Sequence, residues 1–181
     1  CPFGNIRVAE PAAGTGQLSS ALADLGAEVV ALWERAPAAR ELLARRHPKA
    51  ELRRNVTDQW NLESLAPIDC LTMGPPCQVV STANTNARGL NDVRALVLPN
   101  ALAMLPRIQR WLDLGSRRMP STILSIEYIP NITRHNDGAM WCQWLEYFDK
   151  LGMAVQVYYL NASYYGDATV RQRLHVVAQP E

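Results

Sequence analysis

Seven short apolar runs interleaved with helical spacings constrain this chain more than any other feature. The runs fall at residues 6–9, 28–32, around Leu52, and at 68–72, 121–126, 154–160 and 174–178. Helical spacing predicts helices over 17–25, 36–46, 93–114 and 139–151, the third broken or kinked at Pro99 and Pro106. Strands that alternate with helices pair in parallel, because parallel neighbours need a crossover. The expected fold is therefore α/β, a mostly parallel sheet covered by helices on both faces. With 181 residues, 48% of them hydrophobic and 19% charged, the chain can bury the core of one domain. Interdomain linkers, repeats and low-complexity tracts are absent.

The same composition narrows the function. A net charge of +1 gives no global basic field, although a local basic strip would still suit a nucleic acid. The four cysteines, Cys1, Cys70, Cys77 and Cys142, are widely spaced without zinc-type spacing, so no metal is expected and reduced thiols are. No apolar stretch reaches membrane-spanning length and no signal peptide is visible, so a cytoplasmic, nucleoid-associated or nuclear location is expected rather than secretion.

One run bears chemistry. Gly74-Pro75-Pro76-Cys77-Gln78 follows the fourth strand and opens a loop of small and polar residues. The carboxyl ends of strands are where open α/β sheets place ligands. Two prolines stiffen the approach by fixing φ and restricting the residue before them. A thiol held this way can serve as a nucleophile, and it can equally be an ordinary buried cysteine.

Other residues stand at comparable positions. Ala13-Gly14-Thr15-Gly16 joins the first strand to the first helix, where glycines permit a sharp turn and close approach to a ligand. Glu34 ends the second strand twenty residues on, where an acid accepts hydrogen bonds from ribose hydroxyls, or simply meets solvent. Asn55-Val56-Thr57 ends the third strand and reads either as an adenine edge contact or as turn residues. Glu127 ends the fifth strand, close to the expected place of Cys77, and could share a proton with a ring nitrogen. Arg171 and Arg173 alternate at the start of the last strand and so share one face. They suit a phosphate or a base edge, or a plain solvated strand end.

In order and spacing these pieces resemble the cytosine-C5 DNA methyltransferase family. Ala13-Gly14-Thr15-Gly16-Gln17-Leu18 is similar to its cofactor glycine loop and Glu34 to its ribose acid. Gly74-Pro75-Pro76-Cys77-Gln78, with Ser81 following, resembles its catalytic loop, and Asp92-Val93-Arg94-Ala95-Leu96 its next block. Glu127 occupies the place of its active-site Glu. Asn161-Ala162-Ser163-Tyr164-Tyr165-Gly166 and Arg171-Gln172-Arg173 resemble its last two blocks. The likeness runs from residue 9 to 178.

The resemblance implies a Rossmann-like S-adenosylmethionine-dependent methyltransferase domain acting on a flipped-out cytosine in DNA. It implies Cys77 as nucleophile, Glu127 at the ring nitrogen, and Arg171 and Arg173 at the base and backbone. It implies S-adenosylmethionine held by Ala13, Gly14, Thr15, Gly16, Gln17, Leu18, Glu34, Asn55, Val56, Pro76 and Leu96. Gln78, Ser81 and Arg88 would meet DNA from a clamp loop over 81–91.

Departures from the family pattern are Tyr128 where Asn usually follows the Glu, Asn55 where Asp is usual, and Thr169 and Ala168 where Gln and Pro are usual. Arg35 stands where an aromatic often follows the ribose acid. The family's target-recognition segment and final motif have no counterpart after the last predicted strand, so a second subunit or further sequence is expected to carry recognition. Two alternatives accompany this reading, a catalytically inactive methyltransferase-like regulatory or nucleic-acid-binding module and an RNA cytosine-C5 methyltransferase.

Overall fold

A computed structural model describes residues 5–81, 86, 88–114 and 117–181 of the chain. Its strands are β1 (Arg7–Pro11), β2 (Glu28–Trp33), β3 (Glu51–Arg53), β4 (Cys70–Met73), β5 (Trp111–Leu114), β6 (Arg117–Pro120), β7 (Ile123–Tyr128), β8 (Met153–Asn161) and β9 (Gln172–Pro180). Its helices are α1 (Gln17–Asp24), α2 (Pro37–Arg46), α3 (Val97–Leu102), α4 (Leu105–Ile108) and α5 (Ala139–Lys150).

Seven strands form one sheet in the order β3-β2-β1-β4-β7-β9-β8, and β5 and β6 form a separate hairpin. The first five of that order are parallel, while β9 runs antiparallel to both β7 and β8. This is the mostly parallel, Rossmann-like sheet that the sequence predicts. The order reverses between β1 and β4, which places a crevice between the loops that leave these two strands. Those loops are the glycine loop and the Gly74–Cys77 segment.

Burial explains the local choices. In β7, Leu124, Ile126 and Tyr128 are buried, and the Tyr128 ring lies 5.0 Å from Trp144 of α5. The alternate residues of β7, Ile123, Ser125 and Glu127, are only partly covered or exposed. This period of two sends Glu127 to the opposite face from α5. A larger apolar cluster joins Leu71, Met73, Leu98, Leu102, Leu105 and Phe148. A smaller one joins Ala13, Val29, Leu32 and Leu43 beneath the glycine loop and α2.

One expected element differs. The helix read over 93–114 is instead a 3-10 turn (Val93–Leu96), α3 and α4, and it ends at Ile108. Gln109 turns to extended backbone, and Trp111–Leu114 then pairs antiparallel with Arg117–Pro120. Pro106 sits in the first turn of α4, where its missing N–H costs little. The stop is fixed from outside the segment: Arg110 donates its backbone N–H to Thr122 Oγ1, and its guanidinium pairs with Asp69. No helix among the described residues is long and apolar enough to cross a membrane.

Candidate active site

The glycine loop is built by its backbone. Gly14 and Gly16 take φ of +55° and +72°, and a Cβ on Gly16 would lie 2.5 Å from Leu43 Cδ2. Only glycine meets both demands at position 16. Ala13 is buried, and its N–H donates to the Trp33 carbonyl, tying the loop to the end of β2. Thr15 contributes its carbonyl, which accepts from Arg46. Beneath the loop, buried Glu10 accepts from the backbone N–H of Ser19 in the first turn of α1. Burial pushes the Glu10 carboxyl up to about 7.

Glu34 meets the loop directly. Gly14 N–H donates to Glu34 Oε2 at 2.7 Å, and Ala36 N–H donates to Oε1 at 2.7 Å. Each carboxylate oxygen keeps a second lone pair for an incoming hydroxyl. Glu34 lies on the wall of a groove of about 370 Å³ shared with Trp33, Arg35, Arg54, Val56, Pro76, Gln78, Val93, Arg94 and Val97. An acid at one point and Val56, Pro76, Val93 and Val97 around it suit a ribose carrying a flat heterocycle. These residues fit S-adenosylmethionine.

The groove also shows where the sequence reading was displaced. Asn55 is not among its lining residues: its backbone N–H donates to Asp58 Oδ2, while the flanking Arg54 and Val56 line the wall. Leu96 is 52% exposed and outside the groove, because the 3-10 turn presents Val93 and Val97 there instead. Gln78, assigned by resemblance to DNA, lines the groove. Asp92 caps that turn, accepting from Arg94 N–H, and its carboxylate pairs with the Arg94 guanidinium at 2.6 Å. Hydrogen bonds from Arg94 hold the Asp92 carboxyl down to about 2.

A second cavity has a volume of about 410 Å³. Glu127, Arg171, Arg173, His175, Leu160, Ala162, Tyr165 and Asp167 line it, and Gln17 and Leu18 of the glycine loop close one side. Arg173 Nε stands 2.7 Å from Glu127 Oε1, and Arg171 Nη2 stands 3.8 Å from the same oxygen. Arg173 of β9 and Arg171 just before the strand both reach Glu127. Asn161 Oδ1 accepts from the backbone N–H of Ser163 and of Arg171, which ties the end of β8 to the start of β9. His175 pairs with Glu127 across the strands, and burial lowers its imidazole from the usual range.

The Cys77 segment borders both spaces, although Cys77 itself is a lining residue of neither. Pro76 and Gln78 line the groove, while a Cβ on Gly74 would lie 3.8 Å from Glu127 Oε2 in the cavity wall. Cys77 starts a 3-10 turn (Cys77–Val79) and is a partly buried free thiol. Cys70 is also a partly buried free thiol, and burial pushes it up to about 11. Ser81 and Arg88 line neither cavity, and residues 82–85 and 87 of the expected clamp lie outside the described residues, as does Cys1.

Two contacts on this segment have no signal in the sequence. Tyr128 Oη donates to the Pro76 carbonyl at 3.0 Å, and Asn131 Nδ2 donates to the Val80 carbonyl at 2.6 Å. Burial keeps the Tyr128 phenol protonated well above its usual range. The Tyr that departs from the family pattern thus holds the loop that bears Cys77.

The fold recurs in solved structures. A proposed DNA modification methyltransferase encoded within an E. coli prophage matches with a TM-score of 0.74 at 20% identity, over 97% of this chain and 47% of that one. The Entamoeba histolytica methyltransferase EhMeth matches with 0.70 at 18%, over 97% and 53%. The S. pombe Dnmt2 methyltransferase matches with 0.68 at 18%, over 97% and 49%. The chain therefore spans about half the length of these structures. No curated protein matches it. The profile of C-5 cytosine-specific DNA methylases matches residues 6–181, and the chain belongs to that family.

Proposed function

We propose that this chain is the cofactor-binding and catalytic part of an enzyme that transfers a methyl group to C5 of cytosine in DNA. One observation carries the reading: the segment bearing Cys77 borders both a groove headed by Glu34, through Pro76 and Gln78, and the wall of a cavity lined by Glu127 and Arg173, through Gly74. Two reactants brought to one such segment gain the proximity that the transfer needs.

Each residue type has a task. C5 of cytosine is a poor nucleophile. Attack of the Cys77 thiolate on C6 forms a C–S bond and moves the ring electrons toward C5. Glu127 holds or protonates N3, so the ring does not carry a full negative charge. Arg173, with Arg171 in support, holds the base carbonyl oxygen and the adjoining backbone. S-adenosylmethionine, when bound, supplies an electrophilic methyl group. Gly14, Glu34, Val56 and Pro76 would hold it, with Val93 and Val97 against its ring. Loss of the C5 proton and of the Cys77 thiolate releases 5-methylcytosine. A base inside a duplex is out of reach of the cavity, so the target must be flipped out. Target recognition is assigned in this proposal to a second subunit.

Methyl transfer from labelled S-adenosylmethionine tests the reading, assayed with the intact protein, with and without the proposed recognition subunit, on cytosine-containing DNA and on RNA. Label on cytosine of DNA supports it. Label on RNA alone moves the substrate class, and cofactor binding without transfer to either overturns it in favour of a regulatory module.

A further inference from the structure

The proposed chemistry needs the Cys77 sulfur held at a fixed place beside Glu127, yet Cys77 sits on a loop. Two side chains from the segment that follows Glu127 reach that loop, one at each end of it. Tyr128 Oη donates to the carbonyl of Pro76, the residue before Cys77, and Asn131 Nδ2 donates to the carbonyl of Val80, three residues after it. Pro76 is the N-cap and Val80 the C-cap of the 3-10 turn that Cys77 begins. The turn is therefore gripped at both termini by residues one and four positions beyond Glu127.

Both anchors are rigid. Tyr128 is 1% exposed and packs on Trp144 at 5.0 Å, so its hydroxyl cannot swing away without disturbing α5. Asn131 lies in a 3-10 turn (Pro130–Thr133) pinned by buried Ile132. Pro76 is only partly buried, so its carbonyl can turn to water when the Tyr128 hydroxyl is removed. Val80 is fully buried, and its carbonyl would lose its Asn131 partner at a cost in stability. What the two bonds add is a shared frame, since the residues that make them continue directly from the strand that carries Glu127.

We propose that Tyr128 and Asn131 are positioning residues that clamp the Cys77 turn at both ends and fix the thiol relative to Glu127. The proposal rests on the reading of Cys77 as nucleophile, and it assigns to the departure at Tyr128 a part in the reaction rather than a loss of it. Tyr128→Phe removes only the hydroxyl and keeps the packing on Trp144. Asn131→Ala removes the second bond.

The test measures two quantities in the intact protein for wild type, Tyr128→Phe, Asn131→Ala and the double variant. The first is the rate of covalent adduct formation with an oligonucleotide containing 5-fluorocytosine. The second is alkylation of Cys77 by iodoacetamide across pH, resolved by peptide mass spectrometry so that Cys70 and Cys142 do not interfere. Each single variant is expected to slow adduct formation about 10-fold at unchanged KM for the oligonucleotide. Each should alter the Cys77 alkylation rate several-fold, while thermal unfolding shows a folded protein. The double variant should be less than multiplicative, because the two bonds hold one turn. Wild-type adduct rates and an unchanged alkylation profile in both singles would overturn the proposal. Should wild type form no adduct at all, the nucleophile reading fails. The alkylation profile then decides the clamp by itself, a change supporting it and no change overturning it.

Discussion

Arg173 Nε forms an ion pair with Glu127 Oε1 at 2.7 Å across the antiparallel pair of β7 and β9. The two residues are diagonal neighbours on one face of the sheet, a position from which long side chains meet. The pair sets the chemistry of the cavity: the carboxylate and the guanidinium fork together offer an acceptor and donors to one face of a heterocycle. Arg173→Ala should lower methyl transfer by roughly 100-fold, and Glu127→Gln by at least as much, since each acts on charge that develops in the transition state. Arg173→Lys should recover little, because an ammonium cannot present the same fork. Arg171→Ala, whose guanidinium stands at 3.8 Å, should cost roughly 10-fold. Single-turnover kinetics on a fixed duplex give the comparison. Equal losses for Arg171 and Arg173 would contradict the ranking.

Glu34 makes the second prediction. Its two oxygens already accept from Gly14 and Ala36, so it is fixed before any ligand arrives. Glu34→Ala should weaken S-adenosylmethionine binding by about 10-fold or more, and Glu34→Gln less, since the amide keeps one acceptor. Calorimetric titration reads both. Unchanged affinity in Glu34→Ala would remove the acid from the cofactor site.

The architecture was legible where the signal is local. The runs at β1, β2 and β4 and the glycines at 14 and 16 fix strand, turn and helix within a few residues, and the spacing of 171 and 173 brings both arginines to Glu127. Period-two burial in β7 likewise sends Glu127 toward them. The β5–β6 hairpin was not legible. Leu102, Leu105 and Ile108 keep helical spacing into Trp111 and Leu112, and what ends the helix is Thr122 and Asp69, at distant places in the chain. Leu96 and Asn55 were displaced by one-residue differences in how a turn presents its side chains. The bond from Tyr128 to Pro76 spans 52 residues and no spacing rule announces it.

Glu10 predicts a pH dependence of stability. Its carboxyl stands at about 7 in the folded chain against a usual 4.5, chiefly through burial. The folded state therefore holds this proton more tightly than the unfolded state. The contribution is fully present below pH 4.5 and is lost as pH rises from there through 7. The loss amounts to about 3 kcal/mol by linkage. Glu10→Gln keeps an acceptor for the Ser19 N–H and removes the ionisation. Urea unfolding at pH 5 and pH 8 should show the variant gaining on wild type at the higher pH. A parallel pH dependence in both proteins would contradict the assignment.

Gly16→Ala should destabilise the chain by about 1–3 kcal/mol, from a left-handed backbone and from overpacking against Leu43. Gly14→Ala shares the positive φ but meets nothing within 4 Å, so its effect should be smaller on stability. It should be larger on cofactor affinity, because the added methyl group would project from the loop that faces the ligand. Thermal unfolding with and without S-adenosylmethionine separates the two variants.

The central claim is that the Cys77 sulfur bonds to C6 of cytosine. Incubation of the intact protein, with and without the proposed recognition subunit, with S-adenosylmethionine and a duplex containing 5-fluorocytosine tests it most directly. The fluorine replaces the proton that must leave C5, so the adduct cannot resolve. The account predicts a stable protein–DNA complex whose cross-linked peptide contains Cys77, and its loss in Cys77→Ser. Methyl transfer that proceeds undiminished in Cys77→Ser, or an adduct mapped to another residue, would contradict it.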